Sequence, residues 1–507
     1  MRSKNSIKNG IAGLMLQIVL TIMGFVIRKL IVEYLSMEMV GYSTLFGDIL
    51  RWLNFAEMGV GVSVAFHLYK PVEEQDYEKI NALMSIYRRI YHIIGYAVAS
   101  LGLLLMVFLP YLVSGQTVDN TFLRLIFFVE LTGVTATYFL AYYRTIYYSS
   151  QMDYICMNID AVLTVIFTVV RLICIVLLRN YVLYLAASII QNIAAGLIIY
   201  QLSKKYFPKL NAKQSFDKSL GKLIMKDTRN IFFSKISNLI YSSTDNILIS
   251  RFVGIVNVGS FGSYNMIFST VLNYIQKFFA GASASIGNLV NTQDDKVYAE
   301  QVFRRYNYIC CAVLPFVTTS FLLLTDTFMG NIWMGKEYTL DFSIVVMMTL
   351  NYAMNIMHIP LSTFITGLGY FVQDRNLSIV GSAINLITSI VLVFPLGIAG
   401  VLLGTLISQL FFSIARPIVL FHEYFMQSSM VYWKMVLPFL LITLISVVGS
   451  YGLSVVLFAG FPWWAAFIGK IIVCAILPNA LMIMVSYKSD AFLYYKDIIK
   501  QFFSKDK

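Results

Sequence analysis

The 507-residue chain is 58% hydrophobic and only 13% charged, and its mean hydropathy is +0.74. Soluble domains carry about 25% charged residues, so this composition excludes an ordinary soluble protein and is typical of a chain embedded in a lipid bilayer. The formal charge of +12 is also found in nucleic-acid-binding proteins, but its distribution along this chain has a different explanation, given below. The five cysteines and four histidines show no disulfide or metal-ligand spacing, so we expect no metal site.

Apolar segments of about 20 residues, the length that crosses a bilayer as a helix, recur from one end of the chain to the other. The first follows a basic N-terminus and lacks a small-residue cleavage site, which favours a retained helix over a signal peptide. The predicted fold class is therefore all-α, a polytopic membrane protein with about 14 transmembrane helices. In chain order the predicted helices are 11–35, 42–66, 90–112, 123–146, 156–178, 181–202, 230–253, 262–290, 307–328, 342–368, 376–395, 398–421, 435–457 and 464–486.

Lysine and arginine residues are concentrated in alternate connecting loops. The richest is "SKKYFPKLNAKQSFDKSLGKLIMKDTR", and the C-terminal tail "YKSDAFLYYKDIIKQFFSKDK" adds more. Placing the N-terminus inside the cell puts most of these residues on the cytoplasmic side, as the positive-inside rule requires. We therefore predict a multi-pass cell-membrane protein with both termini cytoplasmic. Its basic charge would meet anionic lipid head groups and no nucleic acid.

The predicted outer loops are short, and the longest lies near "MGNIWMGKEYTLD". A polymerase or ligase acting outside the membrane would instead need a sizeable outer loop with clustered catalytic residues. We therefore predict that the protein is not an enzyme and holds no cofactor. The sequence also lacks the G-x-x-x-x-G-K-[ST] loop of ATPases, so energy for uphill movement would come from a proton or sodium gradient.

Two halves of the chain resemble each other. "SIYRRIYHIIGYAV" aligns with "QVFRRYNYICCAVL" through Arg88 and Arg304, and "LSMEMVGYSTLF" aligns with "VGIVNVGSFGSY" through Gly41 and Gly259. An even number of helices separates the copies, which predicts two six-helix lobes in a parallel repeat, related by an axis along the membrane normal. The predicted organisation is an N-terminal lobe, a basic linker, a C-terminal lobe, and two further helices with a cytoplasmic tail, at 1–202, 203–229, 230–421 and 422–507.

Several charged residues interrupt the apolar segments, beginning with the arginine in "GFVIRKLIVEYL". A charge at the bilayer centre costs about 2.5–3.5 kcal/mol on insertion scales, so such residues normally face a wet cavity or a partner. The basic candidates for a cavity that binds an anionic head group are Arg28, Arg51, Lys235 and Lys277. The acidic candidates for a coupling-ion site are Asp48, Glu57 and Asp245. Local alternatives remain open: Asp48 and Arg51 are three residues apart and would pair on one helix face, while Lys235 and Lys470 would snorkel to an interface.

The segments "FAEMGVGVSVAFHLYKP", "STDNILISRFVG" and "DRNLSIVGSAINLITSIVLVFPLGIAGVLLGTLIS" carry a resemblance to a known family. In order and spacing the sequence resembles the Wzx-type polysaccharide repeat-unit flippases of the multidrug/oligosaccharidyl-lipid/polysaccharide (MOP) exporter superfamily. The resemblance implies two six-helix lobes plus two helices in a bacterial inner membrane. It also implies that Arg28 and Arg51 match functional arginines of the peptidoglycan-precursor flippases. Lys29 and Ser36 depart from that pattern.

What the resemblance implies for function is movement of undecaprenyl-pyrophosphate-linked oligosaccharide from the inner to the outer leaflet for surface polysaccharide assembly. Alternating access of the two lobes around a cationic cavity would perform it. Polysaccharide polymerase and glycosyltransferases of the same pathway are the expected protein partners. A flippase for the lipid-linked peptidoglycan precursor and an ion-coupled multidrug exporter are the alternative functions within the superfamily.

Overall fold

The computed structural model describes residues 2–57, 60–212, 243–292 and 295–504. Within these ranges the chain is helical and contains no strand. The helices are α1 Arg2–Tyr34, α2 Met37–Leu53, α3 Val60–Glu74, α4 Tyr77–Leu112, α5 Asn120–Tyr138, α6 Tyr143–Ser149, α7 Asp153–Leu172, α8 Tyr181–Tyr206, α9 Asp245–Phe252, α10 Ile255–Thr292, α11 Lys296–Ala312, α12 Leu314–Thr327, α13 Phe342–Gly367, α14 Phe371–Leu396, α15 Ile398–Ile418, α16 Met430–Phe458, α17 Trp463–Ser486 and α18 Asp490–Ser504.

Eleven helical segments of the described residues are long and apolar enough to span a membrane. They are Met15–Tyr34, Tyr77–Leu112, Asn120–Tyr138, Asp153–Leu177, Tyr181–Tyr206, Lys296–Trp333, Phe342–Gly367, Phe371–Leu396, Ile398–Tyr424, Met430–Phe458 and Trp463–Ser486. The predicted fold class, a polytopic all-α membrane protein, is confirmed. The predicted helix 42–66 is described instead as two helices, α2 and α3, with the short 3-10 turn Asn54–Glu57 after α2.

The chain divides into two compact units, Met1–Gly262 and Ser263–Lys507. The first unit contains α1 to α9 and the first turns of α10, and the second contains the remainder. Most of the predicted linker 203–229 lies outside the described residues, as does the predicted helix 230–253 up to residue 242. The predicted boundaries of the lobes therefore stay a prediction.

In the first unit, α1 packs along α7, and α5 packs against both α4 and α8. Large aromatic side chains fill its interior, where Tyr42, Phe46 and Phe127 are fully buried. The Phe46 and Phe127 rings meet edge to face, with centroids 5.2 Å apart. Such aromatic pairs add about 0.5–1.5 kcal/mol beyond the area that they bury, so α2 is firmly attached to α5.

In the second unit, the hairpin of α14 and α15 owes its tight packing to glycines. "GVLLG" in α15 places Gly400 and Gly404 one turn apart on the face toward α14. A Cβ at Gly400 would lie 2.0 Å from the Leu392 carbonyl oxygen, and one at Gly404 would lie 2.6 Å from the Ser389 backbone nitrogen. Helices in a membrane associate through this kind of close backbone packing, because lipid tails are as apolar as leucine.

The C-terminal segment after α17 forms a helix, α18, which packs beside α11. Arg305 approaches Asp490 to 3.2 Å and covers the Tyr494 ring at 4.0 Å, while the Tyr495 hydroxyl donates to the Arg305 carbonyl oxygen at 3.3 Å. Exposed apolar residues alternate with lysines along α18, such as Leu493 with Lys496. This pattern is typical of a helix that lies in the membrane interface.

The glycine packing gives a direct stability test. Gly404→Ala should lower the melting temperature of the detergent-purified protein, because the added methyl group collides with the α14 backbone and overpacking of this kind costs about 1–3 kcal/mol. Gly452→Ala in α16 is the matched control, since nothing lies within 4 Å of a Cβ at that position. Equal melting temperatures for both variants and the wild type would contradict the role assigned to Gly404.

Candidate functional site

Arg28 lies within α1, in the candidate span Met15–Tyr34, and its side chain turns toward α2. Its Nη2 atom donates a hydrogen bond to Oγ1 of Thr44 at 2.8 Å. The Thr44 hydroxyl in turn donates to the Val40 carbonyl oxygen at 2.8 Å, one turn earlier in α2. The hydroxyl proton is thereby directed at the helix backbone, which leaves a lone pair for the guanidinium.

Gly262 of α10 lies against this contact between α1 and α2. A Cβ at Gly262 would lie 2.8 Å from Arg28 Nη2 and 2.8 Å from Cγ2 of Thr44. Three helices therefore meet at the guanidinium of Arg28, and the third can approach only because it presents no side chain there.

One turn after Thr44, the buried Asp48 carboxylate accepts hydrogen bonds on both oxygens. Arg51 Nη1 donates to Oδ1 at 2.8 Å, and Asn246 Nδ2 of α9 donates to Oδ2 at 2.5 Å. Arg51 Nη1 also lies 3.2 Å from Oγ of Ser243. The pairing of Asp48 with Arg51, which the sequence left open as an alternative, is present in the structure.

The two members of this ion pair differ sharply in exposure: the Asp48 side chain is 6% exposed and the Arg51 side chain is 52% exposed. Within the described part of the chain, both hydrogen bonds of the Arg51 side chain leave from Nη1. A guanidinium has five N–H donors, so its outer edge can still bind a bidentate oxyanion. Asp48 thus orients Arg51 without using up its donors.

The two glycines that the sequence repeat aligns make reciprocal contacts between α2 and α10. A Cβ at Gly41 would lie 2.2 Å from the Ile255 carbonyl oxygen, and one at Gly259 would lie 2.6 Å from the Met37 carbonyl oxygen. In each case the oxygen belongs to the residue four positions before the other glycine. The first turns of α2 and α10 therefore cross in contact, related by a local two-fold arrangement.

Hydrogen bonds close the same end of the first unit. Glu38 at the start of α2 accepts from the Tyr42 hydroxyl at 2.5 Å and from the Thr117 backbone N–H at 2.7 Å. Ser114 of the same loop donates from its backbone N–H to the Ser250 carbonyl oxygen at 3.1 Å, and its own carbonyl oxygen accepts from the Ile255 N–H at 3.0 Å. The loop between α4 and α5 is thus attached both to α2 and to the turn between α9 and α10.

The other two acidic candidates lie in different surroundings. Glu57 ends the 3-10 turn that follows α2 and accepts a hydrogen bond from the Tyr91 hydroxyl of α4. Asp245 is the first residue of α9, half-buried, and directly precedes Asn246, the partner of Asp48. Asp48 is therefore the acidic candidate that the structure places in an ion pair with a predicted cation, Arg51.

Two basic candidates remain, Lys235 and Lys277. Lys277 is an exposed residue of α10 and belongs to the second unit. Lys235 lies outside the described residues. Their membership of a common site stays a prediction.

Sequence reasoning missed the neutral residues of the site: Thr44, Ser243, Asn246 and Gly262. One local signal was available for Thr44, which precedes Asp48 by four residues and therefore lies on the same helix face. Asn246 and Gly262 come about 200 residues after their contacts, and no periodicity connects them.

The sequence matches one known protein family. The sequence of residues 6–286, more than half of the chain, matches the profile of the family described as polysaccharide biosynthesis protein. None of the curated protein sequences matches this chain significantly.

Several solved structures share the fold. The inward closed conformation of the lipid II flippase MurJ superposes with a TM-score of 0.66 over 98% of this chain and 99% of its own, at 14% identity. An inward-facing multidrug resistance MATE family transporter of the MOP superfamily gives 0.63 over 77% and 92%, at 14% identity. A mutant of the Vibrio cholerae MATE transporter VcmN gives 0.56 over 83% and 98%, at 14% identity.

The fold is thus that of a polytopic membrane protein, shared with MurJ and the MATE transporters, and the family profile confirms the predicted membership of the MOP exporter superfamily. Within it, the chain belongs to the polysaccharide biosynthesis protein family.

The hydrogen bond between Asp48 and Asn246 predicts that these two residues are energetically coupled in stability. Asp48→Ala should lower the melting temperature by several degrees, because it removes the acceptor of the buried Asn246 amide, a loss of about 1–3 kcal/mol. In a double-mutant cycle, Asp48→Ala and Asn246→Ala should be non-additive by about 1 kcal/mol or more. Asp76→Ala, at the exposed start of α4, and Asn246→Ala form the control cycle; coupling of equal size in both cycles would show that the Asp48 contact is not specific.

Proposed function

We propose that this protein moves an undecaprenyl-pyrophosphate-linked oligosaccharide from the inner to the outer leaflet of a bacterial membrane for surface polysaccharide assembly. Family membership and the shared fold of MOP exporters support a flippase. The substrate is proposed from one observation on Arg51. Its side chain is held by Asp48 but is 52% exposed, so one edge of the guanidinium can bind a phosphate.

A pyrophosphate-linked sugar cannot cross about 30 Å of hydrocarbon unaided, since its polar atoms would lose water without replacement. Guanidinium groups replace that water well, because their planar donors match the oxygens of a phosphate. Thr44 and Asp48 lie one turn apart on α2, about 6 Å along its axis, and they hold Arg28 and Arg51 respectively. Two guanidinium groups held from neighbouring turns of one helix would together bind the paired phosphates of one head group.

Alternating access would deliver the head group to the outer side. In the predicted orientation, the starts of α2 and α10 lie at the outer end, where the Gly41 and Gly259 crossing and the Ser114 hydrogen bonds hold the helices together. We interpret this arrangement as a closed outer end. Release of the oligosaccharide requires these contacts to separate.

Uphill movement requires an ion gradient, and we propose Asp245 and Glu57 as the sites that take up H+ or Na+. Asp48 is the weaker candidate, because its two oxygens are already bound by Arg51 and Asn246. Protonation of Asp48 would also break its ion pair with Arg51. We therefore assign Asp48 the role of holding the Arg51 side chain in place during the transport cycle. Glycosyltransferases that build the lipid-linked sugar and a polymerase that consumes it are the proposed partners.

Transport of the lipid-linked peptidoglycan precursor is the second candidate. It is favoured by the MurJ structure, which covers 98% of this chain and 99% of its own length. A multidrug exporter has less support, since the MATE structures cover 77% and 83% of this chain and cationic drugs would be repelled by exposed arginines. Complementation of strains that lack each flippase separates the two lipid substrates.

Loss of either arginine should impair transport. In proteoliposomes, Arg28→Ala and Arg51→Ala should each lower flipping of a fluorescent undecaprenyl-pyrophosphate oligosaccharide at least about tenfold, because a charge-assisted contact to phosphate is lost. Arg51→Lys should retain part of the rate, since a lysine keeps the charge and loses the bidentate geometry.

Arg251→Ala is the matched control, an exposed arginine on the neighbouring α9. It should flip the substrate at the wild-type rate. Wild-type flipping by the Arg28 and Arg51 variants, with equal amounts of monodisperse protein, would remove both residues from the proposed site.

Locking the outer end should stop transport. Ser114→Cys combined with Ser250→Cys should form a disulfide under mild oxidation, since the two backbones are hydrogen-bonded directly. Flipping should stop on oxidation and return on reduction, while each single variant stays active. The five native cysteines are all buried, so they should contribute little background. Full flipping by the cross-linked protein would show that this end need not open.

A further inference from the structure

The second unit contains two adjoining cavities that the proposed transport does not use. The first, of about 460 Å³, has a mostly apolar lining that also contains the polar groups of Asp326, Ser454 and Lys470; it is called the polar cavity below. The second, of about 650 Å³, is an apolar groove between α12, α13 and α16. They share four lining residues, Leu322, Leu323, Phe342 and Tyr451, so they form one continuous amphipathic site.

We propose that this site binds one phospholipid with a zwitterionic head that carries a primary amine, of the phosphatidylethanolamine class, with its acyl chain in the groove. The polar cavity offers one cation and one anion, Lys470 and Asp326. A head group with a phosphate and an ammonium has the complementary pair of charges. The proposal is independent of the transported substrate.

The polar groups are positioned for such a ligand. Asp326 accepts its hydrogen bond from the Tyr264 hydroxyl at 2.8 Å, and among the described residues no ion pair within 4.0 Å joins it to Lys470. The two charges therefore remain available to a ligand that lies between them. Ser454 is only 6% exposed, lines the cavity and has no hydrogen-bond partner for its hydroxyl among the described residues. A buried hydroxyl without a partner is uncommon, and a bound polar head would satisfy it.

The depth of the polar cavity in the membrane also fits a lipid head group. Asp326 is the penultimate residue of α12, Phe342 begins α13, and Lys470 lies about 10 Å from the first residue of α17. The polar cavity therefore lies at one end of the spanning helices, where head groups lie. In the predicted orientation this end is the outer one.

The groove has the length of one leaflet. Along α16 it runs from Tyr451 to Leu440, about 16 Å, which is close to half of the ~30 Å hydrocarbon core. It opens at the surface of the unit, since Phe342, Tyr451 and Leu444 are exposed. An acyl chain that enters from the surrounding leaflet would fill it from the head-group level to the middle of the bilayer.

The alternative explanation is that the Lys470 ammonium group snorkels to the membrane surface and forms no part of a lipid-binding site. The two explanations differ in lipid selectivity, because a lysine alone favours any phosphate-bearing lipid and gives no preference for an amine. Asp326 is the residue that would discriminate.

Native mass spectrometry of the purified full-length protein tests this. With phosphatidylethanolamine and phosphatidylglycerol of identical acyl chains, we expect the wild type to bind the amine-bearing lipid about tenfold more tightly. Asp326→Asn should abolish this preference, and Lys470→Gln should weaken binding of both lipids about tenfold. Lys470→Arg should retain binding, because it keeps a cationic donor.

Lys434→Gln, at the other end of α16, is the control and should bind as the wild type does. Val447→Trp fills the groove without changing a charge and should weaken binding of the amine-bearing lipid about tenfold. Equal binding of both lipids by the wild type would overturn the proposal. Wild-type binding by the Lys470→Gln or Asp326→Asn variant would also overturn it, as would unchanged binding by Val447→Trp.

Discussion

The contact on which the first unit depends is the crossing of α2 and α10 at Gly41 and Gly259, where neither helix has room for a Cβ. Between apolar helices in lipid there is little hydrophobic gain, so close backbone packing must supply the attraction. Once the crossing has formed, Gly262 reaches the contact between Arg28 and Thr44, and α9 is near enough for Asn246 to bind Asp48. The polar site is therefore a consequence of where glycine occurs.

The ion pair of Arg51 differs in exposure from two other ion pairs of the molecule. Arg144 with Asp160, and Arg416 with Asp374, are pairs in which both side chains are less than 40% exposed. Such pairs join helices within each unit. In the pair of Arg51 with Asp48, the carboxylate is 6% exposed and the guanidinium 52%. Because burying a guanidinium would cost desolvation energy, Arg51 pairs with the buried carboxylate while keeping an exposed edge, and under the proposed function that edge is where the pyrophosphate would bind.

Composition and hydropathy were enough to predict the membrane class and the all-α fold class, because the bilayer imposes one segment length throughout. The pairing of Asp48 with Arg51 was available as an alternative, since a spacing of three residues fixes it locally. The sequence did not indicate that the predicted helix 42–66 is divided. There Asn54 accepts from the Tyr138 hydroxyl and Glu57 from Tyr91, so contacts distant in sequence act where the helix tightens. Contacts between residues far apart in the sequence, such as that of Asn246 with Asp48, produce no periodic pattern from which they could be predicted.

The unusual length of α4 has a mechanical consequence. Its 36 residues make a rod of about 54 Å, longer than the ~40–45 Å of a bilayer with its head groups. A tilt of only about 10° about one end would therefore sweep the opposite end through roughly 9 Å, as simple trigonometry on that length requires. The helix that begins beside Asp76 and ends beside the loop of Ser114 can act as a lever arm, converting a small angular change at one membrane face into a large displacement at the other.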